Sequence, residues 1–140
     1  MNYITENPLQ TKKLGEVAGK AALKKKRNLF LLKGELGSGK TTFLQGFAKG
    51  LGVKGKVLSP TFIIFRKMRI SSKRNFFHFD CYRVKNEKDI LALGFKEIIR
   101  DKNNIVAVEW PERIKKILPQ DSVFIEFRFL SEKKRKITIG

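Results

Sequence analysis

The spacing of apolar residues predicts alternating strands and helices in the first part of the chain. Between Thr11 and Lys26 the apolar positions fall on one face of a helix. The short apolar run from Leu29 to Leu32 has the length of a buried strand, and a glycine-rich turn follows it. A second helical pattern then continues until Gly52, a residue suited to ending a helix; its apolar positions are Phe43, Leu44, Phe47, Ala48 and Leu51.

Two hairpins are predicted further along the chain. The stretches Phe62 to Arg69 and Asn75 to Asp80 flank the turn at Ser71 to Lys73, which indicates antiparallel strands. From Ser122 to Phe129 apolar and polar residues alternate, and a basic turn leads to Ile137 to Ile139. The chain is therefore predicted to close with a β-hairpin.

Short helices and one more buried strand are predicted between these hairpins. Asn86 can cap a short helix that Gly94 ends, and Phe95 to Ile99 forms another helical turn or two. The apolar run from Ile105 to Val108 reads as a buried strand. Strands and helices that alternate first, with hairpins added later, indicate an α/β sandwich with a mixed, partly antiparallel sheet flanked by helices.

The length and composition favour one folded domain over residues 1–140. A chain of 140 residues buries enough apolar surface for one core, and 41% hydrophobic residues is ordinary for a globular protein. No apolar run reaches the roughly 18 to 20 residues of a membrane helix, and Met1 to Thr11 lacks the pattern of a secretory signal. Cys81 is the single cysteine, so no internal disulfide can form. These features predict a cytoplasmic protein without a membrane partner.

The charge balance is strongly basic. Lysine and arginine number 31 against 13 acidic residues, which gives a formal charge of +18. Such a charge attracts polyanions, so nucleic acid or an acidic partner is expected. The alternative is a compositional bias toward lysine on solvated faces, which would have no binding role.

The glycine-rich turn carries the strongest chemical signal. Residues 34–41 read Gly-Glu-Leu-Gly-Ser-Gly-Lys-Thr and satisfy the phosphate-loop pattern G-x-x-x-x-G-K-[ST] between a predicted strand and helix. Glycines let backbone N–H groups turn toward phosphate oxygens, and the helix N-terminus favours the same anion. Lys40 would reach the β- and γ-phosphates, and the Thr41 hydroxyl would ligate Mg²⁺. The expected fold is therefore P-loop NTPase-like.

Two carboxylates follow predicted buried strands. Glu109 comes directly after the apolar run that begins at Ile105, and Asp80 ends a phenylalanine-rich strand. A carboxylate at the end of a dry strand is costly unless a cation offsets its charge. One could hold Mg²⁺ or its waters while the other orients an attacking water. The alternative is an ordinary ion pair with a nearby cation such as Arg83.

Four further residues have less specific signals. Thr61 follows Pro60 on a loop after the second helix and could act as a switch that senses the γ-phosphate. His78, between two phenylalanines, favours a packed or edge-lying structural role over catalysis. Cys81 is expected to be a buried thiol rather than a nucleophile. Trp110, beside the second carboxylate, could cover the nucleotide site or merely pack.

Taken together these motifs resemble one family, the TsaE (YjeE) ATPases of tRNA threonylcarbamoyladenosine biosynthesis. The resemblance spans nearly the whole chain in the order of the motifs at residues 34–43, 59–62, 78–83 and 108–112. Cys81 stands where the family usually has an aliphatic residue, and Ser38 stands where alanine is frequent.

The resemblance implies ATP and Mg²⁺ as cofactors and a set of site residues. It implies Mg²⁺ on Thr41 and Glu109, an essential Asp80 near the same centre, and Thr11 in the region that approaches the base or ribose. The residues implied to contact the ATP phosphates are Leu36, Gly37, Ser38, Gly39, Lys40, Thr41 and Thr42. Lys40, Thr61, Asp80 and Glu109 are the candidate catalytic residues.

The resemblance also implies partners and a division of labour. It implies docking on the threonylcarbamoyl-transferase and its inactive paralogue (TsaD and TsaB type), with tRNA as a further possible partner. The transfer to adenosine 37 of tRNA would belong to that heterodimer, while weak ATP hydrolysis by this chain resets the assembly. Two rival functions are a P-loop small-molecule kinase and a basic RNA-binding module, and neither needs two strand-end carboxylates beside a phosphate loop.

Overall fold

A seven-stranded sheet runs through the computed structural model, which describes residues 1–54 and 65–140. The strands are β1 (Asn2–Thr5), β2 (Leu29–Lys33), β3 (Phe65–Arg69), β4 (Asn75–Asp80), β5 (Asn104–Glu109), β6 (Val123–Phe129) and β7 (Arg135–Ile139). The helices are α1 (Pro8–Ala22), α2 (Lys40–Leu51), α3 (Glu87–Leu91), α4 (Phe95–Arg100) and a 3-10 helix (Pro111–Ile117).

The strand order places parallel strands at the centre and antiparallel strands at the edges. The order across the sheet is β1-β7-β6-β2-β5-β4-β3. The neighbours β6, β2, β5 and β4 are parallel, whereas β3, β7 and β1 pair antiparallel with their neighbours. This confirms the predicted mixed α/β architecture. The carboxyl ends of the central strands meet at one edge of the sheet, where α/β proteins commonly bind ligands.

Both faces of the central strands are covered by apolar side chains. On one face Leu32 and Ala107 lie in a core with α1 and α2, and on the other Leu31 and Val108 lie in a core with α3, α4 and the 3-10 helix. Burial on both faces explains why β2 and β5 read as continuous apolar runs rather than as an alternation.

Helices α1 and α2 run in the same direction and touch through glycines. A Cβ atom on Gly15 would overlap the Phe43 carbonyl, and one on Gly46 would overlap the Lys12 carbonyl. Only residues without a side chain permit this approach of the two backbones. The packing places the beginning of α1 beside the beginning of α2, next to the loop that precedes it.

Three elements differ from the sequence prediction. Helix α1 begins at Pro8, where Asn7 Oδ1 accepts a hydrogen bond from the Gln10 N–H at 2.9 Å, and it ends at Ala22 rather than at Lys26. Strand β1 was not predicted, because its pairing partner β7 lies at the other end of the chain. The 3-10 helix was not predicted either.

The hairpins were predicted correctly within the described ranges. Strands β3 and β4 pair antiparallel around the turn at residues 70–74, and β6 and β7 form the terminal hairpin. Residues 62–64 of the first predicted strand, and Thr61, lie outside the described residues. Within residues 1–54 and 65–140, no helix has the length and apolar character needed to cross a membrane.

Candidate functional site

The loop between β2 and α2 is shaped by glycines. Gly37 and Gly39 have φ angles of 77° and 102°, in the left-handed region that side chains disfavour. A Cβ on Gly34 would lie 2.7 Å from Ser38 Oγ and 2.9 Å from Phe127 Cβ, so this position also requires glycine. The loop therefore has the backbone conformation that only its glycine pattern allows.

The first turn of α2 presents groups suited to an anion. The helix begins at Lys40, its first turn contains no acidic residue, and its N-cap Gly39 offers no side-chain hydrogen bond. Ser38 Oγ is buried and has no hydrogen-bond partner in the described chain. A helix N-terminus with unsatisfied N–H groups and a nearby buried hydroxyl is the arrangement that binds phosphate.

Lys40 lies inside this site rather than on the surface. Its side-chain nitrogen donates a hydrogen bond to the Gly34 carbonyl and lies 3.8 Å from the centroid of the Trp110 ring. Burial lowers the pKa of Lys40, and the nearby carboxylates of Glu109, Asp80 and Glu112 oppose that shift. The lysine is thus a partly desolvated cation beside the carboxyl ends of β4 and β5.

Asp80 and Glu109 are direct neighbours across the sheet. They are paired in the parallel register of β4 and β5 and end their strands at the edge that also carries the glycine loop. Burial raises the pKa of Asp80; the hydrogen bond from the Tyr82 N–H to Asp80 Oδ1, 3.1 Å long, opposes that shift. The structure therefore brings together Lys40, Asp80 and Glu109, which are far apart in sequence.

His78 contacts one of these carboxylates. Its Nε2 lies 2.6 Å from Glu109 Oε2, and the two side chains are 1% and 5% exposed. Of the two structural roles predicted for His78, packed or edge-lying, the structure shows the packed one. The residue does not lie at an edge of the sheet, because β4 sits between β3 and β5. Successive side chains of a strand point to opposite faces, so His78 and Asp80 lie on the same face of β4. Their spacing of two residues was visible in the sequence.

Thr11 lies against the glycine loop from the side of α1. Its Oγ1 is 2.7 Å from Thr5 Oγ1, and its Cγ2 would lie 3.6 Å from a Cβ placed on Gly39. Arg135 reaches the same loop from β7, where its Nη2 donates to the Gly37 carbonyl at 3.0 Å. Arg135 carried no local sequence signal, because its approach to the loop depends on the pairing of β7 with β1 and β6.

The other predicted loop residues are distributed along the same segment. Thr41 and Thr42 are half-buried in the first turn of α2, and the Leu36 side chain is 69% exposed at the loop tip. Thr61 lies outside the described residues, so its relation to the loop stays a prediction.

The oxygen groups at the site suit a hard cation such as Mg²⁺. The described residues contain no group of three or more His, Cys, Asp or Glu side chains placed to hold a metal by themselves. Mg²⁺ in phosphate sites needs only one or two carboxylates, with the other positions filled by water and phosphate oxygens. The Thr41 hydroxyl and the Glu109 carboxylate fit that requirement.

Cys81 has no reactive character. It is fully buried beside Asp80 and Glu109, and burial together with these carboxylates raises the pKa of its thiol to about 12. The thiol packs in the core with Leu29 and Val108.

Comparisons with known proteins find relatives that match nearly the whole chain. The family model for "Threonylcarbamoyl adenosine biosynthesis protein TsaE" matches residues 5–137. The tRNA threonylcarbamoyladenosine biosynthesis protein TsaE of Bacillus subtilis is 35% identical, over 99% of this chain and 84% of the relative. The TsaE of Treponema pallidum is 30% identical over the full length of both chains.

A solved structure is also similar. The crystal structure of Bacillus subtilis YdiB superimposes with a TM-score of 0.76 and 31% identity, over 99% of this chain and 83% of that chain. The chain therefore belongs to the TsaE family, whose members take part in tRNA threonylcarbamoyladenosine biosynthesis.

Proposed function

We propose that this chain is a Mg²⁺-dependent ATPase with weak intrinsic turnover that serves the threonylcarbamoyl modification of tRNA adenosine 37. The observation that carries the proposal is the convergence of Lys40, Asp80 and Glu109 around a glycine-shaped phosphate loop. A phosphate loop alone indicates nucleotide binding. Two adjacent carboxylates beside the lysine add the means to hold a metal and to orient water, which hydrolysis requires.

The phosphate loop and its flanking residues would bind the nucleotide. Backbone N–H groups from Leu36 to Thr42 would surround the phosphates, and Lys40 would leave the Gly34 carbonyl to contact the β- and γ-phosphates. Thr11, packed beside Gly39, would face the ribose or base.

Thr41 and Glu109 would hold Mg²⁺, which when bound neutralises charge on the β- and γ-phosphates. His78 Nε2 contacts Glu109 Oε2 and would hold this carboxylate in position. Asp80 would orient the attacking water, because its raised pKa brings it closer to that of an effective general base.

The output of hydrolysis would be control of a partner. The site offers groups for one nucleotide and its metal, and we assign the group transfer to the threonylcarbamoyl-transferase bound to its inactive paralogue. Thr61 would report the presence of the γ-phosphate. We place the reaction in the cytoplasm with the rest of this tRNA-modifying assembly.

The two rival functions are less well supported. A small-molecule kinase needs an acceptor pocket and a lid, whereas residues 1–54 and 65–140 form one sheet with its covering helices. A basic RNA-binding module would not need a desolvated lysine facing two strand-end carboxylates. The site thus favours hydrolysis over both.

A nucleotide assay on the isolated chain tests the proposal. We expect slow Mg²⁺-dependent release of phosphate from ATP, lost in Lys40→Ala and reduced about 100-fold or more in Glu109→Ala, since removing one charge-stabilising group typically costs that much. Lys49→Ala is the matched control, because Lys49 is an exposed lysine on the same helix. Unchanged hydrolysis in Lys40→Ala would refute the phosphate-loop assignment.

A second assay tests the pathway role separately. Threonylcarbamoyl transfer to tRNA by the partner heterodimer is followed over many turnovers with and without this chain. We expect multiple turnovers only when the chain and ATP are both present. Transfer that proceeds equally without the chain would remove the partner role while leaving the ATPase intact.

A further inference from the structure

The edge of the sheet opposite the nucleotide site is strongly basic. The amino ends of β2, β4 and β5 meet there, and the loops that lead into them contribute most of the charge. We call this surface the basic edge; it comprises Lys24, Lys25, Lys26, Arg27, Arg69, Lys73, Arg74, Arg100 and Lys102. All of these residues are exposed except Arg74, which is half-buried.

Hydrogen bonds join the loops of the basic edge into one surface. Arg74 Nη1 donates to the Leu23 carbonyl at 3.0 Å, which ties the β3–β4 turn to the segment before β2. Asn28 Nδ2 lies within 2.9 to 3.2 Å of the carbonyls of Ile99, Asp101 and Asn104, which ties that segment to the turn before β5. The cations therefore come from separate parts of the chain and are held at one place.

The cations of the basic edge have few acidic neighbours in sequence. Residues 23–28 and 69–74 contain no acidic residue, and residues 100–104 contain only Asp101. Asp121, from the loop before β6, pairs with Arg27 at 3.2 Å. A uniform lysine bias would not produce this contrast with the region of α3 and α4. There Lys85, which precedes α3, and Lys88 and Lys96 are interleaved with Glu87, Asp89 and Glu97.

We propose that the basic edge binds the phosphate backbone of RNA, and that tRNA is this RNA. The choice of tRNA rests on the function proposed above. The chemistry of the surface favours RNA over an acidic protein, because protein interfaces are built around apolar anchors with few charges at their centre. The exposed large apolar side chains of the described residues all lie outside the basic edge.

The dimensions of the basic edge also fit a nucleic acid strand. Three neighbouring strands spaced about 4.8 Å apart span about 10 Å, and the flanking loops extend this further. Duplex nucleic acid carries a phosphate every few ångströms along each strand, so several phosphates can be contacted at once. Contacts of this kind read no base sequence and weaken as salt rises.

The position of the basic edge separates RNA binding from nucleotide binding. The phosphate loop, Asp80 and Glu109 lie at the carboxyl ends of the same strands whose amino ends carry the basic edge. RNA and ATP can therefore occupy the chain together, and substitutions at the basic edge leave the nucleotide site untouched.

Binding of an unmodified tRNA transcript, measured by fluorescence anisotropy at several salt concentrations, tests the proposal. The variant Lys24→Gln, Lys25→Gln, Lys26→Gln neutralises three cations of the basic edge. We expect at least about a tenfold loss of affinity and a salt slope smaller by about 2 to 3, because each lost phosphate contact lowers the slope by nearly one.

The matched control is Lys85→Gln, Lys88→Gln, Lys96→Gln, which lowers the formal charge of +18 by the same three units. It is expected to retain the affinity and salt slope of the unaltered chain, and both variants are expected to bind ATP normally. Three outcomes would overturn the proposal: no binding of tRNA by the unaltered chain at about 0.1 M salt, equal losses in both variants, or loss of transferase binding with tRNA binding retained. ATP affinity measured in parallel shows whether the proposed function has failed instead.

Discussion

His78 Nε2 lies 2.6 Å from Glu109 Oε2 near the carboxyl ends of β4 and β5, with both side chains almost completely buried. The distance suits an Nε2–H that donates to Glu109 Oε2. Such a bond fixes the rotamer of Glu109, because another rotamer would leave buried polar atoms without a hydrogen-bond partner. His78 is therefore a positioning residue for the carboxylate that we assign to Mg²⁺.

Replacing His78 should weaken metal binding more than nucleotide binding. Loss of an outer partner of a metal ligand typically costs 10- to 100-fold in metal affinity, so we expect His78→Phe to raise the Mg²⁺ concentration for half-maximal activity by about tenfold or more. Mn²⁺ binding in the presence of nucleotide, followed by electron paramagnetic resonance, measures the same effect without turnover.

The control for this prediction is His78→Gln, whose side-chain amide can still donate to Glu109. It should retain much of the metal affinity that His78→Phe loses. A folded His78→Phe variant with the half-saturation of the unaltered chain would contradict a positioning role.

The site could be predicted where its signal is local or follows strand periodicity. The glycine loop and Lys40 are contiguous, and Asp80 and Glu109 each end an apolar strand, so each was visible in the sequence. That these two carboxylates are direct neighbours depends on the register of β4 and β5, which no local pattern states. Arg135 reaches Gly37 through two strand pairings, so only the folded chain reveals that contact.

The fold, like the site, could be predicted only where its signals are local in sequence. Helical periodicity ending at Gly52 predicted α2, and strands on either side of short turns predicted the two hairpins, because these signals depend on neighbouring residues. Strand β1 pairs with residues 135–138 near the other end of the chain, and four residues offer too short a pattern to recognise. Trp110 has a φ of 58°, which begins the 3-10 helix in a conformation that propensity would not assign to tryptophan.

Nucleotide binding should change the fluorescence of Trp110. Lys40 Nζ lies 3.8 Å from its ring centroid, and phosphate groups would draw that ammonium away from the indole. Trp110 is the single tryptophan of the chain, so the signal has one source. We expect ATP and ADP to shift its emission, Lys40→Met to remove the response, and Lys49→Met to retain it. A full response in Lys40→Met would contradict the contact.

Gly46→Ala should destabilise the fold strongly. A Cβ at this position would overlap the Lys12 carbonyl of α1, so the two helices would have to separate. Overpacking of this kind costs about 1 to 3 kcal/mol or more in the free energy of unfolding. Urea denaturation measures it, with Val17→Ala on the exposed side of α1 as a control expected within about 0.5 kcal/mol of the unaltered chain. Equal stability of the two variants would contradict the close helix contact.

The Cys81 thiol should resist modification in the folded chain. Its pKa of about 12 leaves almost no thiolate near pH 8, and the residue is fully buried. We expect a disulfide reagent such as Ellman's reagent to react with Cys81 only after denaturation. Rapid labelling of the native chain would show that Cys81 opens to solvent.

Asp80→Asn should stabilise the nucleotide-free and metal-free chain at neutral pH while it removes hydrolysis. Burial raises the pKa of Asp80 above its ordinary value of 3.8, so the folded state binds this proton more tightly than the unfolded state. Between pH 3.8 and the raised pKa of folded Asp80, the free energy of unfolding therefore falls as the pH increases. Above the raised pKa the loss of stability from the buried, ionised carboxylate is complete. Asparagine cannot ionise and does not carry this cost.

The melting temperature of Asp80→Asn should consequently exceed that of the unaltered chain at pH 7, and the difference should shrink as the pH approaches 4. Calorimetry at both pH values checks the direction. A less stable variant at pH 7 would mean that Lys40 and His78, which favour the ionised carboxylate, outweigh its burial. A more stable variant at pH 7 would instead show that Asp80 lowers the stability of the fold. Active sites commonly retain such destabilising residues because the reaction needs them.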